Sequence, residues 1–441
     1  MYNPFKMHMG IKLKNKYQKL LMICYAYPPY HAIGAVRTEN LSKEFLKYFP
    51  QVNVISTTNI PTDKKNTQIE YIKVRRARTF DYDVLRKYFS KFKSKKKSET
   101  QKGVPSTKIS FSTKLINTFP FSIILGLGGI VYILHAIFLA LREADNETII
   151  FTSYPPLSDH IVGYFVKLRY PRSYWIADYR DALMLTTESI SLAQGLDTMV
   201  HKKILNKADL TTVISDGLRI HFENFTPHVK VIRNSAVLSQ NPEYEQAIKM
   251  EKFRIVYTGR LYQHKRNPSS LFDAVEELIE EGNIDKARFE IVHAGPESLY
   301  WNNHAEKYSF TNVDLGLVSR EEARKLQNES NILLMINWNL PNLLGCLSGK
   351  LFEYFEIGNP VLAIIDGQVD KEMEYIFDDL NAGLVSYVNK TEIQEIKDFV
   401  LKYYQLWLED SMSEKVIDRE KLRKYSWKRV VHDFLESQEV A

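Results

Sequence analysis

A chain of 441 residues with 44% hydrophobic and 25% charged side chains is globular in composition and long enough for two domains with separate cores. Its formal charge of +6 is too small for this size to mark a dedicated nucleic-acid binder, and implies only mild attraction to anionic partners. Two cysteines, Cys24 and Cys346, exclude a disulfide framework and a cysteine zinc site, and fit a reducing, cytoplasmic compartment.

The first apolar run, 20–27, reads as a buried strand. The basic N-terminus before it is followed by too short an apolar stretch, without a cleavage site, to be a signal peptide. The strand leads through Pro28-Pro29-Tyr30-His31-Ala32-Ile33-Gly34 into a helix with Leu41, Phe45 and Leu46 on one face. Strand, glycine-containing turn and helix make a Rossmann-like opening, without the full Gly-x-Gly-x-x-Gly. Strands are expected at 52–56 and 69–74. A basic loop, 84–108, follows, in which Arg86, Lys87, Lys91, Lys93, Lys95, Lys96, Lys97 and Lys102 face only Glu99, with Tyr88, Phe89 and Phe92 interleaved. Such a run is ordinarily a solvated loop. Aromatics among cations also suit an anionic membrane surface, and single-stranded nucleic acid could use the same chemistry; the membrane is the preferred of the two.

The most apolar stretch, 121–141, is about 21 residues, which as a helix just matches a bilayer core of ~30 Å. A true span would separate the first strands from the rest of their own sheet. A buried helix is therefore expected, with a shallow dip into one leaflet as the second reading. Strands follow at 148–151, 174–181, the latter with a polar exit, and 208–215, with a helix through Ile161, Val162, Phe165 and Leu168. Residues 236–252 are polar and without period, and read as a linker. Beyond it, a strand at 253–258 leaves through Gly259 to Arg260, with Lys265 and Arg266 in the loop before a helix at 271–278. Further strands are expected at 289–294 and 332–337, with Val313-Asp314-Leu315-Gly316-Leu317-Val318 leading into a helix at 321–327. The predicted organisation is a domain at 18–238, a second at 250–418, and a terminal amphipathic helix within 419–441.

One stretch is denser in signal than the others: Leu347-Ser348-Gly349-Lys350-Leu351-Phe352-Glu353-Tyr354-Phe355-Glu356-Ile357-Gly358-Asn359-Pro360, followed by the apolar run 361–365. Ser348 is placed as a helix N-cap, Gly358 as the left-handed residue that ends the helix, and Pro360 as the block to its continuation. The run after it suits a parallel strand covered on both faces. Glu353 is a carboxylate inside an otherwise apolar helix, and spacing alone allows it simply to face solvent.

Gly-Lys-Leu-Phe-Glu-Tyr followed by Gly-Asn-Pro-Val-Leu-Ala resembles the donor-binding helix of retaining GT-B glycosyltransferases of family 4, and the resemblance runs along nearly the whole chain. It implies an α/β fold of two Rossmann-like domains with parallel sheets facing across a cleft, the last helix crossing back to the first domain. The activity implied is transfer of a sugar from a nucleotide-diphosphate sugar to an acceptor hydroxyl with retention at the anomeric carbon, in cell-envelope polysaccharide or glycolipid synthesis. No metal and no cofactor are implied, because cations and a helix N-terminus take the metal's part at the diphosphate. Residue by residue, Glu353 matches the glutamate that grips the nucleotide ribose, and Gly349 and Lys350 lie in the helix start that faces the diphosphate. Gly259-Arg260-Leu261 matches the Gly-Arg-Leu signature, with Lys265 or Arg266 as the second cation. Gly316 and Val318 match the loop that holds the base. Gly34 matches the N-terminal glycine loop, and Asp178 and Asp181 match an Asp-x-Arg-Asp stretch that faces the cleft, where they are candidate contacts to acceptor or reacting centre. The chain departs from the family at Gly345, where a second glutamate is usual; backbone amides of Asn342, Leu343, Leu344 and Gly345 are the expected substitute.

Two rival readings stay open at this stage. One is a nucleotide-sugar epimerase or hydrolase on the same fold; the other is a non-catalytic protein that binds sugar nucleotides, for which Gly345 is the best support. The expected partners are a nucleotide-sugar, a sugar or lipid-linked acceptor, and an anionic membrane at the inner face of the cytoplasmic membrane touched through the N-terminal domain.

Overall fold

The computed structural model describes residues 16–30, 32–60, 71–82, 84–85, 120–183, 191–238, 250–262, 265–339, 345, 347–388, 393–411 and 415–436. The expected basic stretch from 86 onward, most of the expected linker, and Asn342, Leu343 and Leu344 lie outside the described residues. Two compact units form: one from the chain up to Arg233 together with Trp427 onward, the other from Asn234–Ser426.

In the first unit, β1 (Lys19–Ile23), β2 (Gln51–Thr57), β3 (Lys73–Ala77), β4 (Thr148–Tyr154), β5 (Tyr174–Tyr179), β6 (Leu210–Val213) and β7 (Val229–Val231) make one sheet in the order β3-β2-β1-β4-β5-β6-β7. Its helices are α1 (Ile33–Phe45), α2 (Phe121–Ile124), α3 (Ile130–Glu143), α4 (Leu157–Arg169), α5 (Ser191–Lys207) and α6 (Asp216–Glu223). In the second unit, β8 (Phe253–Thr258), β9 (Phe289–Ala294), β10 (Thr311–Asp314), β11 (Ile332–Trp338), β12 (Val361–Asp366) and β13 (Gly383–Tyr387) are ordered β10-β9-β8-β11-β12-β13. Its helices are α7 (Ser269–Glu280), α8 (Ser298–Ala305), α9 (Arg320–Asn328), α10 (Gly349–Ile357), α11 (Lys371–Leu380), α12 (Ile393–Leu408) and α13 (Arg419–Leu422). All these strand pairs are parallel. Each unit is thus a doubly wound, Rossmann-like sheet.

The second sheet shows why its strands read as unbroken apolar runs. Along β12, Leu362 and Ile364 enter one core, while Val361, Ala363 and Ile365 enter the other. Alternate residues of a strand point to opposite faces, so a sheet covered on both faces needs apolar residues at every position. The last helix, α14 (Trp427–Glu436), belongs to the first unit, where Trp427, Val431, Phe434 and Leu435 share a core with Leu20, Met22, Leu41 and Phe45.

Three local expectations change. The third strand lies at β3, later than 69–74. The apolar stretch 121–141 is not one helix: α2 ends at Ile124 and α3 starts at Ile130, with Gly126-Leu127-Gly128-Gly129 between them. Gly128 is left-handed at φ +71°, and a Cβ at Gly126 would meet the Ser122 carbonyl oxygen at 2.2 Å. Nor is this stretch fully buried. α3 buries Tyr132, Ile133, Ala136 and Ala140 but exposes Val131, Leu134 and Phe138. Among the described residues no helix is long and apolar enough to cross a membrane. Finally, Ser348 occupies the N-cap position of α10 but its side chain makes no cap; Gly358 ends that helix left-handed at φ +85°, as the sequence implies.

Candidate functional site

In both sheets the strand order reverses once, between β1 and β4 and between β8 and β11. Ligands of doubly wound folds bind outside the carboxyl ends of the strands at such a reversal, because the two loops there turn away from each other and leave a crevice. Of the predicted site residues, Gly34 follows β1 and Gly259-Arg260 follow β8 at these reversals, whereas Asp178 and Asp181 belong to β5 and its exit, and Gly316 and Val318 follow β10.

In the second unit, β8 exits through Gly259 into Arg260. The exit loop is held from three sides. The Tyr257 hydroxyl donates to the Arg260 carbonyl at 2.6 Å, and Arg266 donates to the same carbonyl at 2.9 Å. Glu297, itself left-handed at φ +76°, accepts from the amides of Leu261 and Tyr262 at 2.9 and 3.0 Å. The Arg266 guanidinium is packed over the rings of Tyr262 and Trp338, and Lys265 is exposed, its ammonium 5.3 Å from the Trp338 ring centre. Arg260 itself is exposed, and its guanidinium makes no hydrogen bond or ion pair among the described residues. Of the three cations offered by the sequence, Arg260 and Lys265 are exposed, and Arg266 is spent on shaping the loop.

The start of α10 meets this loop. Lys350, in the first turn of the helix, donates to the Thr258 carbonyl, and its ammonium lies 5.3 Å over the Tyr257 ring. A Cβ at Gly259 would stand 1.8 Å from that nitrogen, so the glycine is what lets the lysine in. Gly349 opens α10 and brings no side chain of its own to the helix start. Glu353 lies one turn further, half-buried, and accepts from Arg320 of α9 at 3.3 Å. Gly316 is left-handed at φ +62°, with its amide donating to Asp314 at 3.1 Å; Val318, two residues on, is half-buried. His293 joins these loops, with its Nδ1 2.8 Å from Asp314 and its Nε2 3.3 Å from the Gly259 carbonyl oxygen. Gly345 is left-handed at φ +79°.

In the first unit the same kind of reversal gathers Gly34, Arg180 and Asp159. The Arg180 guanidinium is held by the carbonyls of Tyr154 and Pro155, and a Cβ at Gly34 would come within 2.0 Å of it. Gly34 therefore makes room for an arginine of its own chain at the N-terminus of α1, where backbone amides already favour an anion. Asp159 accepts from the Tyr25 amide and the Tyr132 hydroxyl, each at 2.7 Å, and burial pushes its carboxyl up to about 8.

The two predicted aspartates part company. Asp178 is fully buried and takes Arg37 in a two-point ion pair at 2.7 and 3.1 Å, with Ser153 and Thr212 donating at 3.0 and 2.9 Å. Its oxygens are consumed inside the sheet, so it is a structural anchor and not a contact for acceptor or reacting centre. Asp181, past the end of β5, is exposed. Sequence reasoning missed Glu297, Arg180 and Trp338. Arg180 stood inside the Asp-x-Arg-Asp stretch already singled out, whereas nothing local marks Glu297 or Trp338, whose parts depend on loops brought together by the sheet.

No protein-family model matches the chain, and no curated protein matches it. Solved structures do. An α,α-trehalose-phosphate synthase (UDP-forming) from Burkholderia xenovorans in complex with glucose-6-phosphate aligns over 95% of this chain and 99% of its own, with a TM-score of 0.57 and 11% identity. The E. coli trehalose-6-phosphate synthase bound with UDP-2-fluoro glucose aligns over 96% and 99%, with a TM-score of 0.58 and 12% identity. An S. aureus TarM variant in complex with Fondaparinux, alpha-GlcNAc-glycerol and UDP aligns over 96% and 100%, with a TM-score of 0.54 and 12% identity. These neighbours are GT-B glycosyltransferases, and at such low identity the likeness shows the fold: this chain has the GT-B architecture of two Rossmann-like units.

Proposed function

We propose that the chain is a retaining, metal-independent glycosyltransferase of family 4 that transfers a sugar from a nucleotide-diphosphate sugar to an acceptor hydroxyl in cell-envelope polysaccharide or glycolipid synthesis. The observation that carries this reading is the meeting of the Gly259-Arg260 loop with the start of α10 at the strand reversal of the second unit. An exposed arginine, a helix N-terminus and a carboxylate one turn along that helix are the groups this reading assigns to the diphosphate and the ribose. Fold neighbours that hold UDP or a UDP-sugar support it.

In this reading Arg260 and the amides of α10 take up the charge that develops on the departing diphosphate, the task at which fixed donors in a site poor in water are most effective. Glu353 grips the ribose in place of Arg320, and the Gly316–Val318 loop holds the base through its backbone. If the acceptor attacks on the face from which the diphosphate leaves, no carboxylate nucleophile is required. Asp181, Gly34 and Arg180 are the acceptor-side groups; Asp178 is not among them.

The acceptor belongs, in the same proposal, to an anionic membrane at the inner face of the cytoplasmic membrane. Supporting this, Phe121, Ile124, Leu127, Val131, Leu134 and Phe138 are all exposed along α2 and α3, Leu134 by 62%, and Arg142 lies 4.0 Å over the Phe138 ring. The sequence just before them is rich in lysine. Exposed apolar side chains with a cation beside them suit a headgroup boundary.

The test is incubation with a panel of nucleotide-sugars, with and without a lipid extract. Sugar incorporated into lipid or polymer with the donor's anomeric configuration, together with released nucleoside diphosphate, is expected in the presence of EDTA. Rapid epimer formation without acceptor would support the rival epimerase and overturn the reading. Sedimentation with anionic vesicles, weakened by salt and by Leu134→Asp/Phe138→Asp, tests the membrane part; equal indifference to anionic and neutral vesicles would sink it.

A further inference from the structure

His293 is fully buried near the end of β9. It is the register partner of Tyr257 on β8, and the two rings lie nearly parallel. Trp301 of α8 covers the imidazole, with 4.7 Å between ring centres and 17° between planes. Both ring nitrogens meet acceptors: Nδ1 is 2.8 Å from the Asp314 carboxylate, and Nε2 is 3.3 Å from the Gly259 carbonyl oxygen. The carbonyl has no proton to give. Burial pushes the Asp314 carboxyl up, but hydrogen bonds from Ser298, the Gly316 amide and His293 outweigh it and hold the group below its usual range, so it is an acceptor too. A neutral imidazole would turn a lone pair onto one of the two oxygens. Only a ring with a proton on each nitrogen donates to both. A charged ring also suits its cover, because the face of an indole attracts a cation.

The surroundings keep this contact open. A Cβ at Gly295 would stand 2.1 Å from the Gly259 carbonyl oxygen and 3.0 Å from Nε2. No neighbour takes over the bond to Gly259: the Tyr257 hydroxyl donates to the Arg260 carbonyl, and Asn302 of α8 donates to the other oxygen of Asp314. The charged groups on the far side of Tyr257 are Lys350, which lies over its ring, and Arg266, which donates to its hydroxyl; Glu297 accepts from the loop amides beyond them. The backbone of His293 joins in as well, since its carbonyl accepts from the Leu315 amide at 2.9 Å.

We infer that His293 is a positioning residue for the proposed transfer, held as an imidazolium that ties the Gly259-Arg260 loop to the Asp314–Gly316 loop, so that one protonated ring sets the loops assigned to diphosphate and base. The inference rests on the donor-site reading above, and His293 itself touches no substrate. Loss of either ring proton turns a lone pair onto an oxygen of one loop. Donor binding is therefore strongest while the ring is charged and weakens as the pH rises through its titration.

Two measurements test this. Proton–nitrogen correlation spectra of protein labelled with ¹⁵N at histidine read the ring directly, His293 being the signal that His293→Gln removes. Calorimetry from about pH 6 to pH 9, across the range in which imidazoles titrate, reads affinity for the tightest binder among UDP, GDP and ADP. At the acid end the nucleotide-bound wild type should show both nitrogens of His293 protonated. There His293→Phe, which keeps a ring under Trp301 but has no donor, should bind at least tenfold more weakly. His293→Gln, with one neutral donor, should fall between them. The ratio of wild-type to His293→Phe affinity should shrink with rising pH towards that of His293→Gln; taking the ratio cancels the ionisation of the phosphates and of Lys350, which are common to all three proteins. A singly protonated ring in the bound wild type, or a ratio that stays near one or does not change with pH, would overturn the inference and leave the donor site standing. Should His293→Phe fail to fold, the wild-type spectra and the pH profile of wild type against His293→Gln decide in the same way. A wild type that binds none of the three nucleotides would overturn the donor-site reading and this inference with it.

Discussion

Asp178→Asn separates a structural from a catalytic aspartate. The substitution leaves the size of the side chain unchanged and removes its charge, so the buried Arg37–Asp178 ion pair is broken. Arg37 is only 1% exposed and also donates to the carbonyls of Ile232 and Arg233, with the Trp427 ring 5.9 Å from its guanidinium. It thereby ties α1 to β5, to the end of β7 and to α14. Breaking a buried pair by removing one partner costs about 3–5 kcal/mol. In a unit of about 150–250 residues each kcal/mol lowers Tm by roughly 2–4 °C, so a drop on the order of 6–20 °C is expected. The assay is thermal unfolding followed by near-UV circular dichroism, with turnover measured well below the new Tm. An unchanged Tm accompanied by a large loss of turnover would refute the structural assignment and return Asp178 to the reaction.

Other outcomes follow from the same geometry. Burial lowers His201 to about 4 from its ordinary 6.5, so the unfolded chain takes up this proton first as the pH falls. The stability that comes from keeping it neutral is complete above pH ~6.5 and lost towards pH ~4, about 3 kcal/mol in all. Urea unfolding at pH 7 and pH 5 should show about 2 kcal/mol of that loss in wild type and much less of it in His201→Phe; the difference between the two proteins cancels acids such as Asp159, whose shifts act in the opposite direction. Gly259→Ala forces a side chain to φ +149° against the Lys350 amine, and should abolish nucleotide binding in calorimetry while costing on the order of 1–3 kcal/mol of stability. Glu297→Gln keeps one acceptor for the amides of Leu261 and Tyr262 but loses the charge, and should weaken nucleotide binding several-fold with little change in Tm; a change in Tm alone would limit Glu297 to a packing role.

Much of the second unit was legible in the sequence because its signals are local. A buried strand leaving through Gly259 to Arg260, and a helix closed by Gly358 and Pro360, are fixed by neighbours within a few residues. The first unit was harder to read. Asp178 and Asp181 look alike in sequence, and only the sheet reveals that the first lies opposite Arg37, 141 residues away, while the second clears the strand end. Gly34 was visible as a glycine that grants a close approach, but what approaches is Arg180, a long-range fact. The apolar stretch 121–141 misled by composition: its glycines break the helix, and hydrophobicity alone does not tell a buried face from an exposed one. His293 carried no signal in the sequence, since its part depends on the two loops that meet its ring.

Nucleotide binding in the second unit tests the central claim most directly. Thermal shift with UDP, GDP and ADP, each at a concentration about 100 times its dissociation constant, should add ~2.7 kcal/mol and raise the melting temperature of the wild-type protein by several degrees with at least one of them. The matching nucleotide-sugar should do the same, and Arg260→Ala should lose most of the shift and about 100-fold in turnover. A wild-type protein indifferent to every nucleoside diphosphate, or an Arg260→Ala variant that is stabilised and turns over as wild type does, would contradict the account.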